Sequence, residues 1–191
     1  MQESDIHDLA SLHMACLPDS LVSEFGLQYA RKFYRYIEGS DKEILLVERN
    51  ADSKIIAVCV LSLDPKSLNK RLMVETSLLW YAFLKVHRTL FLALHSLMRL
   101  SFFHPSIDTL DIPELILIYA SDEMRGKGIG SSLVHKIEAR LRELGINAYQ
   151  VKTLADPANR ALAFYEKLGF SQSYVVSKRG KRWQVFTKTL P

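Results

Sequence analysis

Hydrophobic and polar positions change their spacing several times along the chain, and each change marks an element. In residues 4–15, Ile6, Leu9 and Leu12, with Ala10 and Met14 beside them, fall on one side of a short amphipathic helix that Ser4 or Asp5 can cap. Residues 16–23 contain Pro18 and read as a loop. In 24–37, Phe25, Tyr29, Phe33 and Tyr36 recur every three or four residues, which predicts a second helix ending at Gly39. Two β-rich runs follow, 43–49 and 54–63, joined by the turn residues Asn50 to Ser53, so an antiparallel hairpin is expected. Asp64 and Pro65 stop its second strand.

Residues 66–104 carry long apolar stretches with almost no turn residues and predict helices. Lys85, His87 and Arg88 interrupt the run, leaving flanks shorter than the ~20 apolar residues a membrane span requires. A helical insertion of about 66–106 within one domain, 1–191, is the expectation. Its charge is one-sided: Lys66, Lys70, Arg71, Lys85, Arg88 and Arg99 stand against Glu75. A helical pair packed on the domain accounts for the pattern. A substrate wall, a dimer surface or a peripheral membrane contact through a basic face are the sharper readings.

From Pro113 the chain reads as a buried apolar strand, a glycine-rich turn and an amphipathic helix. That helix shows Ile129, Leu133, Val134, Ile137, Leu141 and Leu144 on one face, with Gly145 closing it. A strand is predicted at 148–154. A helix follows at 157–168, with Asp156 as cap and Pro157 at its first position. A closing hairpin, 170–177 and 183–189, turns at Lys178-Arg179-Gly180-Lys181.

Composition narrows the class. Of 191 residues, 48% are hydrophobic and 24% charged, which suits a globular chain. A net charge of +4 is compatible with an acidic small ligand and too mild to argue for nucleic acid. Cys16 and Cys59 lie in apolar contexts and read as two reduced, buried thiols. No metal-ligand spacing occurs among the histidines, so no metal is assigned. The acidic, polar N-terminus argues against a signal peptide, and a cytoplasmic location is the default expectation.

The turn Arg125-Gly126-Lys127-Gly128-Ile129-Gly130-Ser131 carries the chemistry. A strand feeding a glycine-rich turn and a helix start leaves backbone N–H groups and a helix dipole facing an anion. No GxxxxGK[ST] run is present, and the glycines lie two-thirds along the chain rather than in an early βαβ unit. Neither nucleotide motif fits. Arg125-x-x-Gly128-x-Gly130 instead resembles the [RQ]-x-x-G-x-[GA] signature of the GNAT family of N-acetyltransferases. Ala161 to Phe170, ALAFYEKLGF, resembles that family's A-x-x-x-Y-E-K-L-G-F ending.

The resemblance covers roughly 1–65 and 107–191. It implies an α/β (α+β) fold, a mixed, mostly antiparallel sheet flanked by helices, with the insertion between the third and fourth family strands. The usual first edge strand is missing, so a dimer contact or the insertion is expected to cover the exposed edge.

The resemblance also implies acetyl-CoA as co-substrate and a primary amine as acceptor, with a small molecule, an amino sugar among them, as the leading reading. A peptide or protein acceptor, or a non-catalytic acyl-CoA-binding module, are the alternatives. By the same correspondence Gly126 to Ser131 hold the pyrophosphate, with Arg125 and Lys127 adding charge. Ile118, Tyr119 and Ala120 offer backbone to the pantetheine arm and the thioester carbonyl. Tyr165 is the general acid. Asn159 lies one residue from the position of a family pantetheine contact. The position of a common family base is Thr153, which cannot serve, so Glu114, Asp111, Asp19 and Glu24 are the base candidates.

Overall fold

The computed structural model describes residues 1–76, 110–178 and 180–191. The predicted helices of 77–104, and with them most of the suggested membrane-contacting insertion, lie outside the described residues, as does the turn residue Arg179.

Three helices come first: α1 (Glu3–Cys16), α2 (Leu21–Phe25) and α3 (Leu27–Gly39). The predicted loop of 16–23 and helix of 24–37 need correction here. Ser20 accepts a hydrogen bond from the Ser23 N–H and caps the short α2, and Gly26, at φ 90°, separates it from α3. The hairpin of β1 (Glu43–Arg49) and β2 (Ile55–Ser62) follows. Asp64 then caps α4 (Pro65–Glu75), with Pro65 in the first turn where its missing N–H costs nothing.

A part-buried polar cluster anchors α4. Arg71 donates to Glu43 (2.5 Å), to the Asp64 side chain (2.8 Å) and to the Tyr36 hydroxyl (2.8 Å). Glu43 also accepts from Ser40 and Ser62. The described start of the insertion is therefore bolted to the first hairpin.

β3 (Glu114–Ala120) leads into helix α5 (Ile129–Glu143), then β4 (Ala148–Leu154), helix α6 (Arg160–Lys167), and the hairpin β5 (Ser171–Lys178) and β6 (Lys181–Thr189). The predicted helix of 157–168 begins later, at Arg160. Asp156 Oδ1 accepts from the Ala158 N–H and forms a turn first, leaving Asn159 to cap the helix through the Ala161 N–H. Lys178 pairs with Lys181, so the last turn is shorter than expected.

Six described strands form one sheet in the order β1-β2-β3-β4-β6-β5, and β3–β4 is its parallel pair. β1 is an edge, with no described strand beyond it. Side-chain alternation divides the core into two layers. Val58, Val60 and Tyr119 pack with Ile6, Leu9, Ala30, Phe33, Tyr34 and Ile37 of α1 and α3. On the opposite face Ala57, Cys59, Leu61 and Leu115 pack with Leu133, Val134, Ile137 and Leu141 of α5, and with Tyr165 and Phe170. No described helix is long and apolar enough to cross a membrane. Both cysteines are free thiols; Cys59 is buried and Cys16 half-buried.

Candidate active site

Two irregularities in β3 open the sheet. Val60 pairs with Leu117 while Leu61 pairs with Leu115, so Ile116 is an extra residue and β3 bulges there. Past the bulge β3 leaves β4: the parallel pair has only two register positions, Glu114↔Gln150 and Leu115↔Val151. From Ile116 to Ala120 the strand keeps β2 on one side and faces a fork on the other.

Backbone polarity in that fork follows from one bond. The Ser121 N–H donates to the Ile56 carbonyl at 2.9 Å. In an antiparallel ladder alternate residues turn the same way, so the N–H groups of Leu117 and Tyr119 also face β2. Those of Ile118 and Ala120 face the fork. Of the three backbone positions predicted for the thioester, two point into the opening, and Tyr119 presents its side chain to the α1–α3 layer instead. The Ala120 carbonyl accepts from the Cys16 thiol at 3.5 Å.

The fork leads to the glycine turn. Gly126 and Gly128 have φ 77° and 80°, backbone that other residues adopt only under strain, and a Cβ at either would meet open space. Gly128 caps α5 without a side-chain bond. The amides of Ile129, Gly130 and Ser131 therefore start the helix without intrahelical acceptors. A Cβ on Gly130 would sit 3.3 Å from the Phe164 ring, so this glycine lets α5 and α6 approach. These bare amides and left-handed glycines fit a pyrophosphate. Arg125 pairs with Asp122 at 3.0 Å and both are exposed, while Lys127 lies on the surface beside Met124.

Tyr165 projects from α6 into the α5 layer. Its ring is 5.2 Å from Phe164, 5.4 Å from Phe170 and 5.8 Å from Phe186, centroid to centroid. Burial holds its phenol well above the ordinary tyrosine range, so it stays protonated at neutral pH. No described residue hydrogen-bonds its hydroxyl. The far end of α6 is fixed by Lys188, which donates to the Leu168 carbonyl and to Glu138, each at 2.6 Å; Glu138 also accepts from Tyr149 at 2.8 Å.

Glu114 stands in the first of the two residue pairs, one position before the strands part. It is 9% exposed, and its Oε2 accepts from Lys152 (2.8 Å) and Gln150 (3.0 Å). By alternation these three face away from Leu115 and Val151, toward the α1–α3 side of the sheet. The side-chain oxygen of Gln150, Oε1, is buried with no partner. The other predicted carboxylates lie elsewhere. Asp111 is exposed beside Lys66 at 3.4 Å, and Asp19 and Glu24 are exposed in and beside the α1–α2 loop. Asn159 spends its amide on the α6 cap, on Thr153 Oγ1 and on the Leu154 carbonyl, both at 2.8 Å.

A second polar array escaped the sequence. His13 is buried, with Nδ1 2.7 Å from the Tyr34 hydroxyl and Nε2 2.8 Å from Ser20 Oγ. Tyr34 lies 2.5 Å from the Tyr119 hydroxyl. Burial lowers the His13 pKa to about 4, so the ring is neutral near pH 7. In the sequence His13 and Tyr34 lie within helical stretches and Tyr119, Gln150 and Lys152 within strands. No motif joins them, because they meet only when the sheet and helices pack.

The family model described as "Acetyltransferase (GNAT) family" matches residues 6–170. None of the curated proteins matches this chain. Among solved structures it is similar to a histone acetyltransferase HPA2 and related acetyltransferase from Corynebacterium glutamicum: 15% identity, TM-score 0.65, covering 100% of this chain and 94% of that one. It is also similar to the ribosomal-protein-S18-alanine N-acetyltransferase from Escherichia coli: 12% identity, TM-score 0.59, covering 100% and 90%. Mutant forms of the spermidine/spermine N-acetyltransferase from Vibrio cholerae match at 12% identity and TM-score 0.57, covering 99% and 91%.

Proposed function

The chain belongs to the acetyltransferase (GNAT) family, and we propose that it transfers the acetyl group of acetyl-CoA to the primary amine of a small molecule by direct attack. The fork between β3 and β4 carries this reading. Its strand β3 runs on into the glycine turn, and two N–H groups of that strand open into it.

Acetyl-CoA supplies the thioester carbon. The amides at the start of α5 hold the pyrophosphate, with the helix dipole adding to their attraction. Ile118 and Ala120 offer N–H groups to the carbonyl oxygen, where negative charge grows as the C–N bond forms. Glu114, oriented by Lys152 and Gln150, takes the proton the amine must lose. Tyr165, kept neutral by burial, gives a proton to the sulfur as the C–S bond breaks, so free thiol leaves.

The test is acetyl-CoA turnover on a panel of primary amines, amino sugars and polyamines among them, read as free thiol. Thiol release with at least one small amine supports the proposal. Thermal stabilisation by acetyl-CoA with no thiol release across the panel would sink it and leave a binding module. Turnover confined to peptide N-termini would move the acceptor to proteins.

A further inference from the structure

The hydrogen bonds around His13 have a direction that the heavy atoms fix. Ser23 Oγ lies 2.8 Å from the Leu17 carbonyl, which can only accept, so the Ser23 proton is spent there. The bond between Ser20 and Ser23, 3.0 Å, must then be donated by Ser20. Its single proton gone, Ser20 Oγ can only accept from His13, so Nε2 carries the ring proton. The ring is neutral, which leaves Nδ1 bare and makes Tyr34 its donor. Tyr34 has no second proton, so Tyr119 donates to Tyr34. Every hydroxyl proton in the row points the same way, from Tyr119 toward the half-buried backbone of the α1–α2 loop.

The consequence falls on Tyr119, the donor end of the row. Tyr34 and His13 are sealed at 0% exposure, whereas Tyr119, also a core residue, keeps 8%. Its hydroxyl proton is committed to Tyr34, and no other described residue bonds its oxygen. What Tyr119 has left to offer is a lone pair alone. Its neighbours along β3, Ile118 and Ala120, carry the N–H groups of the fork. Glu114 and the orphaned Gln150 oxygen, on the same face of the sheet, are acceptors as well.

We propose that the Tyr119 hydroxyl is a positioning and specificity residue for the acceptor, receiving a hydrogen bond from the N–H of the incoming amine. The assignment rests on the acetyl-transfer reading. An acceptor-only oxygen favours a group rich in N–H donors, an ammonium above all, and disfavours one that presents lone pairs. Tyr34, His13 and Ser20 act through Tyr119 by holding its proton away from the amine.

Calorimetric binding of spermidine, glucosamine and an alanine-initiated peptide to the CoA-loaded protein tests this. For any amine that binds, Tyr119→Phe is expected to weaken its affinity by about tenfold or more. The affinity for CoA is expected to stay within about twofold, because the ring and backbone are kept. Tyr34→Phe frees the Tyr119 proton to turn outward and should weaken the amine in the same direction. Nitrogen-15 spectra of histidine-labelled protein should show His13 as the Nε2–H tautomer at neutral pH. Unchanged amine affinity in Tyr119→Phe, an Nδ1–H tautomer, or binding of none of the three amines would each overturn the assignment. Acetyl-CoA binding is scored separately: its absence would refute the acetyl-transfer reading, while intact acetyl-CoA binding beside indifferent Tyr119 variants would refute this inference alone.

Discussion

The two faces of the central sheet are built by different means. On the α5–α6 face the site comes from two short runs of chain, Arg125 to Ser131 and Ala161 to Phe170. It consists of bare amides, left-handed glycines and one tyrosine among aromatic rings. On the α1–α3 face the polar side chains are scattered over α1, α3, β3 and β4, in two hydrogen-bonded groups: His13, Tyr34 and Tyr119, and Glu114, Gln150 and Lys152. A ligand anion held by backbone demands particular residues at fixed spacing. A polar network held by packing makes no such demand on the sequence. Donor and acceptor recognition should therefore fail independently.

The largest effect that would break this separation is expected at the glycine turn. Gly128→Val forces a β-branched residue into φ 80° at the helix cap. We expect acetyl-CoA affinity to fall by roughly thirtyfold or more, since the amides it orients move together. Amine binding to the unloaded protein should be unaffected. Isothermal titration reads both; a matching loss on the amine side would show the two faces to be one site.

Tyr165→Phe comes next. It removes the hydroxyl proposed as the proton donor and keeps the ring packing against Phe164, Phe170 and Phe186. Steady-state kinetics should show kcat lowered about tenfold or more, with CoA affinity unchanged. Undiminished turnover would retire the acid role.

The α1–α3 face carries a pH signature of its own. His13 titrates at about 4 when folded and near 6.5 when unfolded. The folded value is the lower, so the unfolded chain binds the proton first as pH falls. Its contribution is whole above about pH 6.5 and is lost progressively down to about pH 4, on the order of 3 kcal/mol. Thermal midpoints between pH 7.5 and 4.5 should fall more steeply for the wild type than for His13→Gln. Parallel curves would show that His13 does not carry the effect.

The smallest change expected is at Arg125, although its position is part of the family signature. Its side chain is 61% exposed and paired with Asp122. Arg125→Ala should alter acetyl-CoA affinity by less than about threefold, the scale of a screened surface charge. A tenfold loss would mean that this side chain reaches the phosphates.

Periodicity and turn chemistry made most elements of the described fold readable, β1 and β4 to the residue. The family followed from two motifs that encode close backbone approach. Errors came where a side chain competes with the backbone: Ser20 capping a helix inside a supposed loop, and Asp156 making a turn that hands the cap to Asn159. Tyr165 was singled out because its neighbours form a motif. Glu114 was readable as a carboxylate at a strand end, but its partners Lys152 and Gln150 lie across a parallel pairing that no local pattern encodes. Tyr119 was named for its backbone, whereas its side chain leads into the polar row, which only packing reveals.

The two-residue junction between β3 and β4 has a mechanical side. Sheet stiffness comes from continuous ladders, and here β1-β2-β3 and β4-β6-β5 are two stiff plates joined at Glu114–Gln150 and Leu115–Val151. Such a joint resists sliding far better than it resists opening. A chain-like ligand laid along Ile118 and Ala120 would act as a splint across it. Substrate loading would then damp the relative motion of the plates, and amide exchange along β3 and β4 would slow far beyond the atoms the ligand touches.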